Sequence, residues 1–394
     1  MKQLLRLLLL CSRFSSTRTD SGHNFWQGML NRIDPEIESV HVLSIGGCGE
    51  RSASVPWRLT RLMPFPLEYI YRVRQGGFSR IESNYAVKSL VPIQILAKLG
   101  HIIRRQGTDI LHVADNYGPM QTLLARLPTV KSSSFLTYFP RYLFYNEMLS
   151  VSLHPFDRIV TGSDSITEKL VSLGFLREKI QAIPWGVDST ELGQRRRDPS
   201  EVKRSLGLAP DTKLIVWTGF VPGMAQKDYR YAISLARELL NRTSKVAFIF
   251  MFKPSHFRTS YLQDGLPPRL RIVRSQSSNE FLDVMNAAVA LLSPMINPRV
   301  ISAPPLTWLE CMASGAPIIS TYSAAASTAL EEGVAGLFFS DSEEFCNKTL
   351  KLCSEPSFSA EISANVRKFV GRNYDMGKVA LQYLGMWRSL VESV

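Results

Sequence analysis

The sequence predicts an α/β fold of two Rossmann-like, doubly wound domains that face a central cleft. Strands and helices alternate in two series, a pattern typical of parallel sheets covered by helices on both faces. A charged, polar stretch at residues 193–200 separates the series, and 394 residues suffice for two domains with a core each. We predict an N-terminal domain at 1–192, a C-terminal domain at 201–375, and a last helix at about 376–394 that packs back on the first domain.

The N-terminal series begins with an apolar run, Leu4–Cys11, which predicts a core strand. A polar loop that ends in Gly22 and His23 follows, and then a helix, Asn24–Arg32. Strand, glycine-containing loop and helix form the opening of a Rossmann-like unit, although the G-x-G-x-x-G fingerprint is absent. We predict further strands at Ser39–Ile45, Ile110–Ala114, Ser134–Thr137, Arg158–Gly162 and Ile180–Ile183.

The second series begins with a strand, Lys213–Thr218, that runs into Gly219. Apolar spacing predicts the elements that follow it. They are a helix at Tyr229–Leu240, strands at Val246–Phe252 and Leu270–Val273, a helix at Asn279–Asn286 and a strand at Val289–Leu292.

One stretch of the second series combines a helix start with an acidic side chain. Pro304 and Pro305 suit the first turn of a helix, where a missing N–H costs little. The N–H groups of Leu306 and Thr307 and the positive end of the helix dipole would suit a diphosphate there. Glu310, one turn further on, could accept both hydroxyls of a ribose. The alternative is a capping box of Thr307 and Glu310 that only stabilises the helix.

Composition excludes a disordered chain, because 45% of the residues are hydrophobic and 20% are charged. The net charge is +12, and it is concentrated between Arg51 and Arg105, where ten Lys and Arg stand against two Glu. Aromatic residues lie among these charges, which favours an anionic membrane surface or a phosphorylated acceptor; a solvated basic face is the alternative. Nucleic-acid binding would rest on charge alone, and we predict none.

The sequence also allows a prediction of the cellular location of the protein. No apolar run approaches the length of a membrane-spanning helix. The five cysteines lack C-x-x-C spacing, which indicates reduced thiols rather than disulfides or a zinc site. The Leu-rich start shares features with a targeting peptide, but we interpret it as a strand. We expect a cytoplasmic protein, either soluble or peripheral at the inner face of a membrane.

Four stretches resemble glycosyltransferase family 4, the retaining nucleotide-sugar transferases of GT-B fold. They are FDRIVTGS at 156–163, KIQAIPWGVD at 179–188, VWTG at 216–219 with Lys227 after it, and LECMASGAPIIS at 309–320. The last is the most specific, because it is close to the family's LEAMAsGxPVv. The resemblance implies a hexosyltransferase-type enzyme with a nucleotide-sugar donor, a glycan or lipid-linked acceptor, and no cofactor or metal.

The resemblance also implies roles for individual residues. Lys227 would grip the diphosphate and Glu310 the ribose, while Gly219 and Phe220 would form the phosphate loop. A cation and helix amides can stabilise charge on a departing diphosphate without metal. In agreement, the sequence contains no D-x-D motif, the pair of aspartates that is expected where magnesium binds the diphosphate.

The sequence departs from the family at two positions of the expected donor site. Ser302 stands where the first Glu of the E-x7-E motif is usual, and Phe220 stands where Arg is usual. Other residues could supply what is missing at the donor site: Arg274, Arg299, Gly22 and His23. Acceptor candidates are Asp115 at a strand end, Tyr138 where the family often has His, and Arg58 and Arg61 in the basic segment.

These departures leave rival hypotheses open. One rival is a catalytically degenerate relative that binds sugar nucleotides or glycans without turnover. Another is a different GT-B enzyme, such as a sugar-nucleotide epimerase. A phosphorylase is disfavoured because no lysine motif for pyridoxal phosphate is evident. None of the rivals accounts for residues 309–320 as well as a glycosyltransferase does.

Overall fold

The computed structural model describes most of the chain. The described residues are 5–13, 21–33, 37–46, 58–61, 99–114, 130–136, 138–139, 155–194, 197–219, 225–252, 257, 265–296, 301–323, 326–327 and 330–392. The chain divides into two compact units, of which the first comprises 1–17, 30–183 and 380–394 and the second 18–29 and 184–379. The division after Ile183 thus precedes the stretch at 193–200, which is partly helical.

The elements in the first half of the chain are mostly short strands. They are β1 (Leu5–Arg13), α1 (Ser21–Ile33), β2 (Ile37–Gly46), β3 (Arg58–Arg61), a helix at 99–106, β4 (Ile110–Val113), β5 (Lys131–Leu136), β6 (Tyr138–Phe139), β7 (Arg158–Thr161), α2 (Asp164–Ser172), a 3₁₀ turn (Arg177–Lys179) and β8 (Ile180–Ala182). Seven strands form one parallel sheet in the order β3-β2-β1-β4-β5-β7-β8.

The second half of the chain alternates strands with longer helices. Its elements are α3 (Ser189–Gln194), α4 (Pro199–Ser205), β9 (Lys213–Thr218), α5 (Ala225–Arg242), β10 (Val246–Phe252), β11 (Leu270–Arg274), α6 (Ser278–Ala287), β12 (Ala288–Leu292), β13 (Ile301–Ser302), α7 (Leu306–Ala313), β14 (Ile318–Thr321), β15 (Gly336–Phe339), α8 (Ser342–Ser354), α9 (Pro356–Asn373) and α10 (Met376–Glu392).

The sheet of the second unit has the strand order of a Rossmann fold. Six parallel strands run in the order β11-β10-β9-β12-β14-β15, which is 3-2-1-4-5-6 in chain order. All seven residues of β10 are buried, as expected for a strand covered on both faces. The predicted fold of two doubly wound α/β units is therefore confirmed.

Strand β1 explains the Leu-rich start of the sequence. It lies between β2 and β4, and Leu8, Leu9 and Leu10 have no exposed surface. An uninterrupted apolar run is what a strand buried on both faces requires. The predicted core strand at Leu4–Cys11 is confirmed, with its end extended to Arg13.

Two predicted helix starts are wrong, and both corrections move a site candidate. Helix α1 begins at Ser21, so Gly22 and His23 lie in its first turn rather than in a loop. Helix α5 begins at Ala225, so Lys227 lies within the helix rather than before it. Polar first turns lack the apolar spacing that reveals a helix interior, so the pattern alone placed both starts too late.

Helix α10 packs two aromatic side chains around a buried histidine in the first unit. The rings of Tyr383 and Trp387 lie 5.6 and 5.5 Å from the ring of His112 on β4. Nδ1 of His112 is 2.7 Å from the Ser133 hydroxyl on β5. Burial lowers the pKa of His112 from 6.5 to about 3. The histidine is therefore neutral in the folded protein throughout the physiological pH range.

We predict that this histidine makes the first unit less stable in acid. Between about pH 6.5 and pH 3 the unfolded chain binds a proton that folded His112 does not, so stability falls as the pH falls through that window. The loss approaches at most about 1.4 kcal/mol per pH unit. Urea unfolding at pH 7 and pH 5 measures it. His112→Asn is expected to reduce the pH dependence, and an equal pH dependence in both proteins would contradict this interpretation.

Candidate functional site

The candidate site lies at the carboxyl ends of the strands of the second sheet, at the point where the strand order reverses. Strands β9 and β12 are neighbours there, and their carboxyl ends leave the sheet toward α5 and α7 respectively. In open parallel sheets, ligands bind in the crevice outside the carboxyl ends at this switch point. The residues that follow β9 and β12 are therefore the ones to consider for a ligand.

Gly219 follows β9 directly and lies against an aromatic cluster. A Cβ atom at this position would lie 3.2 Å from two ring atoms of Trp217. The Trp217 ring is stacked on Phe250 at 5.3 Å and packs 5.1 Å from Tyr229 of α5. A larger residue would have to displace the Trp217 ring, so glycine keeps this turn close to the core.

The first turn of α5 presents a cation beside a carboxylate. Lys227 is exposed, whereas Asp228 is half-buried. Oδ1 of Asp228 accepts a hydrogen bond of 3.0 Å from the N–H of Ile296, a residue that follows β12. Burial raises the pKa of Asp228, an effect that this hydrogen bond partly offsets. The first turn of α5 is thus fixed to the segment that leaves β12.

Glu310 lies inside α7 rather than in a capping box. The helix begins at Leu306, its N-cap is Pro305, and no side chain caps it. Thr307 is the second helical residue, so it cannot act as the N-cap, and the capping-box alternative is wrong. Only 9% of Glu310 is exposed. A carboxylate is therefore held just behind the start of the helix.

The start of α7 offers backbone donors next to this carboxylate. The N–H groups of Trp308 and Leu309 both donate to the carbonyl of Pro305, at 2.9 and 3.3 Å. Helical geometry leaves the N–H groups of Leu306 and Thr307 without an acceptor within the helix. These are the two residues that the sequence predicted as amide donors.

The far end of α7 is fixed as well. Gly315, in the left-handed conformation at φ +92°, lets the chain turn from the helix toward β14. Arg367 of α9 donates from Nη2 to the Ser314 carbonyl at 2.9 Å. The helix that carries Glu310 is therefore held at both ends.

The remaining predicted residues divide into three groups. Arg274 is exposed at the end of β11, on the same edge of the sheet but separated from β9 by β10. Other candidates lie in regular elements: Ser302 in β13, Tyr138 in β6, Arg58 and Arg61 at the two ends of β3, and Gly22 and His23 in the first turn of α1. Phe220, Arg299 and Asp115 lie outside the described residues.

Sequence reasoning missed the residues that support the site. Asp228, Ser293 and Thr321 hydrogen-bond around the segment after β12, but each is a single polar residue near an element end. Asp228 could have been suspected from its place beside Lys227. Nothing in the sequence distinguishes Ser293 or Thr321 from an ordinary turn residue.

Among the residues that the structure describes, no three or more His, Cys, Asp or Glu side chains gather in a way that could hold a metal ion. The helices in this part of the chain include none with the length and hydropathy of a membrane-spanning segment.

Two parallel, doubly wound sheets are the architecture of GT-B glycosyltransferases. Solved structures show the same fold. A glycosyltransferase from Rickettsia africae superposes with a TM-score of 0.73 over 100% of both chains, at 12% identity. Anabaena HepE in complex with UDP has a TM-score of 0.71, covers 98% of this chain and 100% of its own, and is 13% identical.

Sequence comparison finds similar glycosyltransferases. Residues 212–355, which lie in the second unit, match the family model described as Glycosyl transferases group 1, and the predicted resemblance is confirmed. It is 25% identical over 320 residues to a D-inositol 3-phosphate glycosyltransferase of Actinosynnema mirum, an alignment that covers 77% of this chain and 70% of the relative. The Nocardia farcinica protein of that name is 25% identical over 190 residues, which is 46% of this chain and 41% of the relative.

Proposed function

We propose that this protein is a retaining, metal-independent hexosyltransferase that moves a sugar from a nucleotide-diphosphate donor to a glycan or lipid-linked acceptor. The observation that carries the proposal is Glu310, a buried carboxylate just behind the start of α7 at the switch point of the sheet. We further propose a UDP-sugar donor, since HepE was solved with UDP and with UDP-glucose. The enzyme would work in the cytoplasm, free or at the inner face of a membrane.

The proposed donor pose follows from the two helix starts. The diphosphate would lie against the N–H groups of Leu306 and Thr307, where the dipole of α7 favours negative charge. The ribose would then reach Glu310, whose carboxylate can accept bonds from both of its hydroxyls. Lys227, exposed on the first turn of α5, would bind the diphosphate from the other side.

The proposed sugar transfer requires that the departing diphosphate be stabilised. As the bond from the sugar to the diphosphate breaks, negative charge develops on the diphosphate, and preformed N–H groups with a cation stabilise it. Lys227 would supply the charge that a metal ion supplies elsewhere. In the proposed retaining mechanism, the acceptor hydroxyl attacks the face that the diphosphate leaves, and a phosphate oxygen takes its proton.

A degenerate donor-binding relative is the second candidate function. It is favoured by Ser302, which stands where the family usually has a carboxylate. Both candidates predict nucleotide binding, but only the enzyme releases UDP from its donor. Thermal shifts against nucleoside diphosphates, followed by assay of UDP release from UDP-sugars, distinguish them. Binding without release would favour the degenerate relative, and binding of no nucleotide would contradict both.

We predict that Lys227→Gln weakens the binding of UDP about tenfold but leaves the binding of uridine unchanged. The variant loses one charge-assisted hydrogen bond to a phosphate oxygen, and uridine has no phosphate. Calorimetric titration with both ligands measures the difference. Lys245→Gln is the control, because Lys245 is an exposed residue at the opposite end of β10 from the site. Equal losses for UDP and uridine would contradict the assigned role.

A further inference from the structure

The four residues that follow β12 are held by side chains from three elements. They are Ser293, Pro294, Met295 and Ile296, and they are here called the post-β12 segment. The Thr321 hydroxyl, at the end of β14, accepts the N–H of Met295 at 2.8 Å and donates to its carbonyl at 2.7 Å. Asp228 of α5 accepts the N–H of Ile296 at 3.0 Å.

The same segment is also fixed at its beginning. Nε1 of Trp308, on α7, donates to the Ser293 hydroxyl at 2.9 Å. The Ser320 hydroxyl of β14 donates to the Ser293 carbonyl at 2.8 Å. Three of the four residues are thus hydrogen-bonded by two helices and a strand, although the segment belongs to no regular element itself.

This arrangement connects the starts of α5 and α7. Asp228 lies in the first turn of α5 and Trp308 in the first turn of α7, and both bind the post-β12 segment. The segment therefore links the helix that carries Lys227 to the helix that carries the amide donors. Thr321 fixes the middle of this connection by bonding both backbone polar groups of Met295.

We propose that Asp228 and Thr321 are positioning residues that hold the two helix starts at the spacing that a nucleoside diphosphate requires. The proposal rests on the function proposed above. Neither residue needs to contact the ligand. Loss of either would let the post-β12 segment move and would weaken diphosphate binding, because misplaced donors lose their hydrogen bonds.

Substitution of Thr321 separates positioning from mere packing. Thr321→Val keeps the shape of the side chain but removes both hydrogen bonds to Met295, whereas Thr321→Ser keeps them. The matched control is Thr349→Val in α8 of the same unit. Thr349 is fully buried, and among the described residues its hydroxyl has no hydrogen-bond partner.

The experiment is calorimetric titration of UDP into four proteins, with melting temperatures measured alongside. Thr321→Val is expected to bind UDP about tenfold more weakly than wild type, which corresponds to about 1.4 kcal/mol. Thr321→Ser is expected to stay within about twofold of wild type, and Thr349→Val to bind UDP unchanged. If Thr321→Val fails to fold, Asp228→Ala against Asp228→Asn makes the same comparison, since Asn keeps an acceptor oxygen.

Three results would overturn the proposal in distinguishable ways. If wild type binds UDP and Thr321→Val binds it equally tightly, the proposed function stands and the positioning role is wrong. If Thr349→Val loses as much affinity as Thr321→Val, the effect is one of general stability and the positioning role is again wrong. If wild type binds neither UDP nor any other nucleoside diphosphate, the proposed function fails and the positioning role fails with it.

Discussion

Glu310→Gln is expected to weaken the binding of UDP by about tenfold to a hundredfold, with little change in melting temperature. A hydrogen bond to a charged group contributes about 1.5–3 kcal/mol, and glutamine keeps the shape but not the charge. Calorimetric titration of UDP measures the loss, and differential scanning calorimetry measures stability. Glu361→Gln, on an exposed position of α9, is the matched control.

The ribose contact itself is tested with 2′-deoxy-UDP. Wild type should bind UDP more tightly than the deoxy analogue, and this preference should disappear in Glu310→Gln, because the variant and the analogue remove the two sides of one interaction. An equal preference in both proteins would contradict the role of Glu310. A large fall in melting temperature with unchanged affinity would instead make Glu310 a structural residue.

The second large effect concerns the first unit. Trp387→Ala is expected to lower its free energy of unfolding by about 3–5 kcal/mol, the usual cost of deleting a buried Trp side chain. Trp387 is fully buried on α10 and contacts Tyr383 and His112. Urea unfolding measures the change.

A conservative change at the same position provides the control. Trp387→Phe should cost far less than the alanine variant, since it keeps an aromatic ring and, among the described residues, the indole N–H of Trp387 has no hydrogen-bond partner to lose. A loss of less than about 1 kcal/mol for Trp387→Ala would contradict the packing of α10 described above.

The sequence predicted the interior of the second sheet well, because buried parallel strands are read directly from apolar runs. Strands β9 and β10 begin and end at the predicted residues. The larger errors fall at the starts of elements. Helices α5 and α1 begin at Ala225 and Ser21, where polar first turns carry no periodicity, and β5 begins at Lys131, three residues before the predicted strand at Ser134–Thr137. Local pattern specifies an element interior, whereas its ends depend on capping and on neighbours.

The candidate site was predictable only in part. Glu310 and Lys227 could be chosen because residues 309–320 and 216–219 resemble glycosyltransferase family 4, and because a carboxylate and a cation near helix starts suit a ribose and a diphosphate. The role of Thr321 could not be, because its partners are backbone atoms of Met295, 26 residues earlier in the chain. Contacts of that kind exist only once β12 and β14 are paired, and no single residue type in the sequence predicts them.

The second unit is proposed to bind a nucleoside diphosphate at the starts of α5 and α7. Hydrogen–deuterium exchange with and without saturating UDP tests this claim, because it locates the ligand without a variant. We predict slower exchange at residues 293–296 and 306–310 and in the first turn of α5. Unchanged exchange in these three segments, with UDP bound, would contradict the claim.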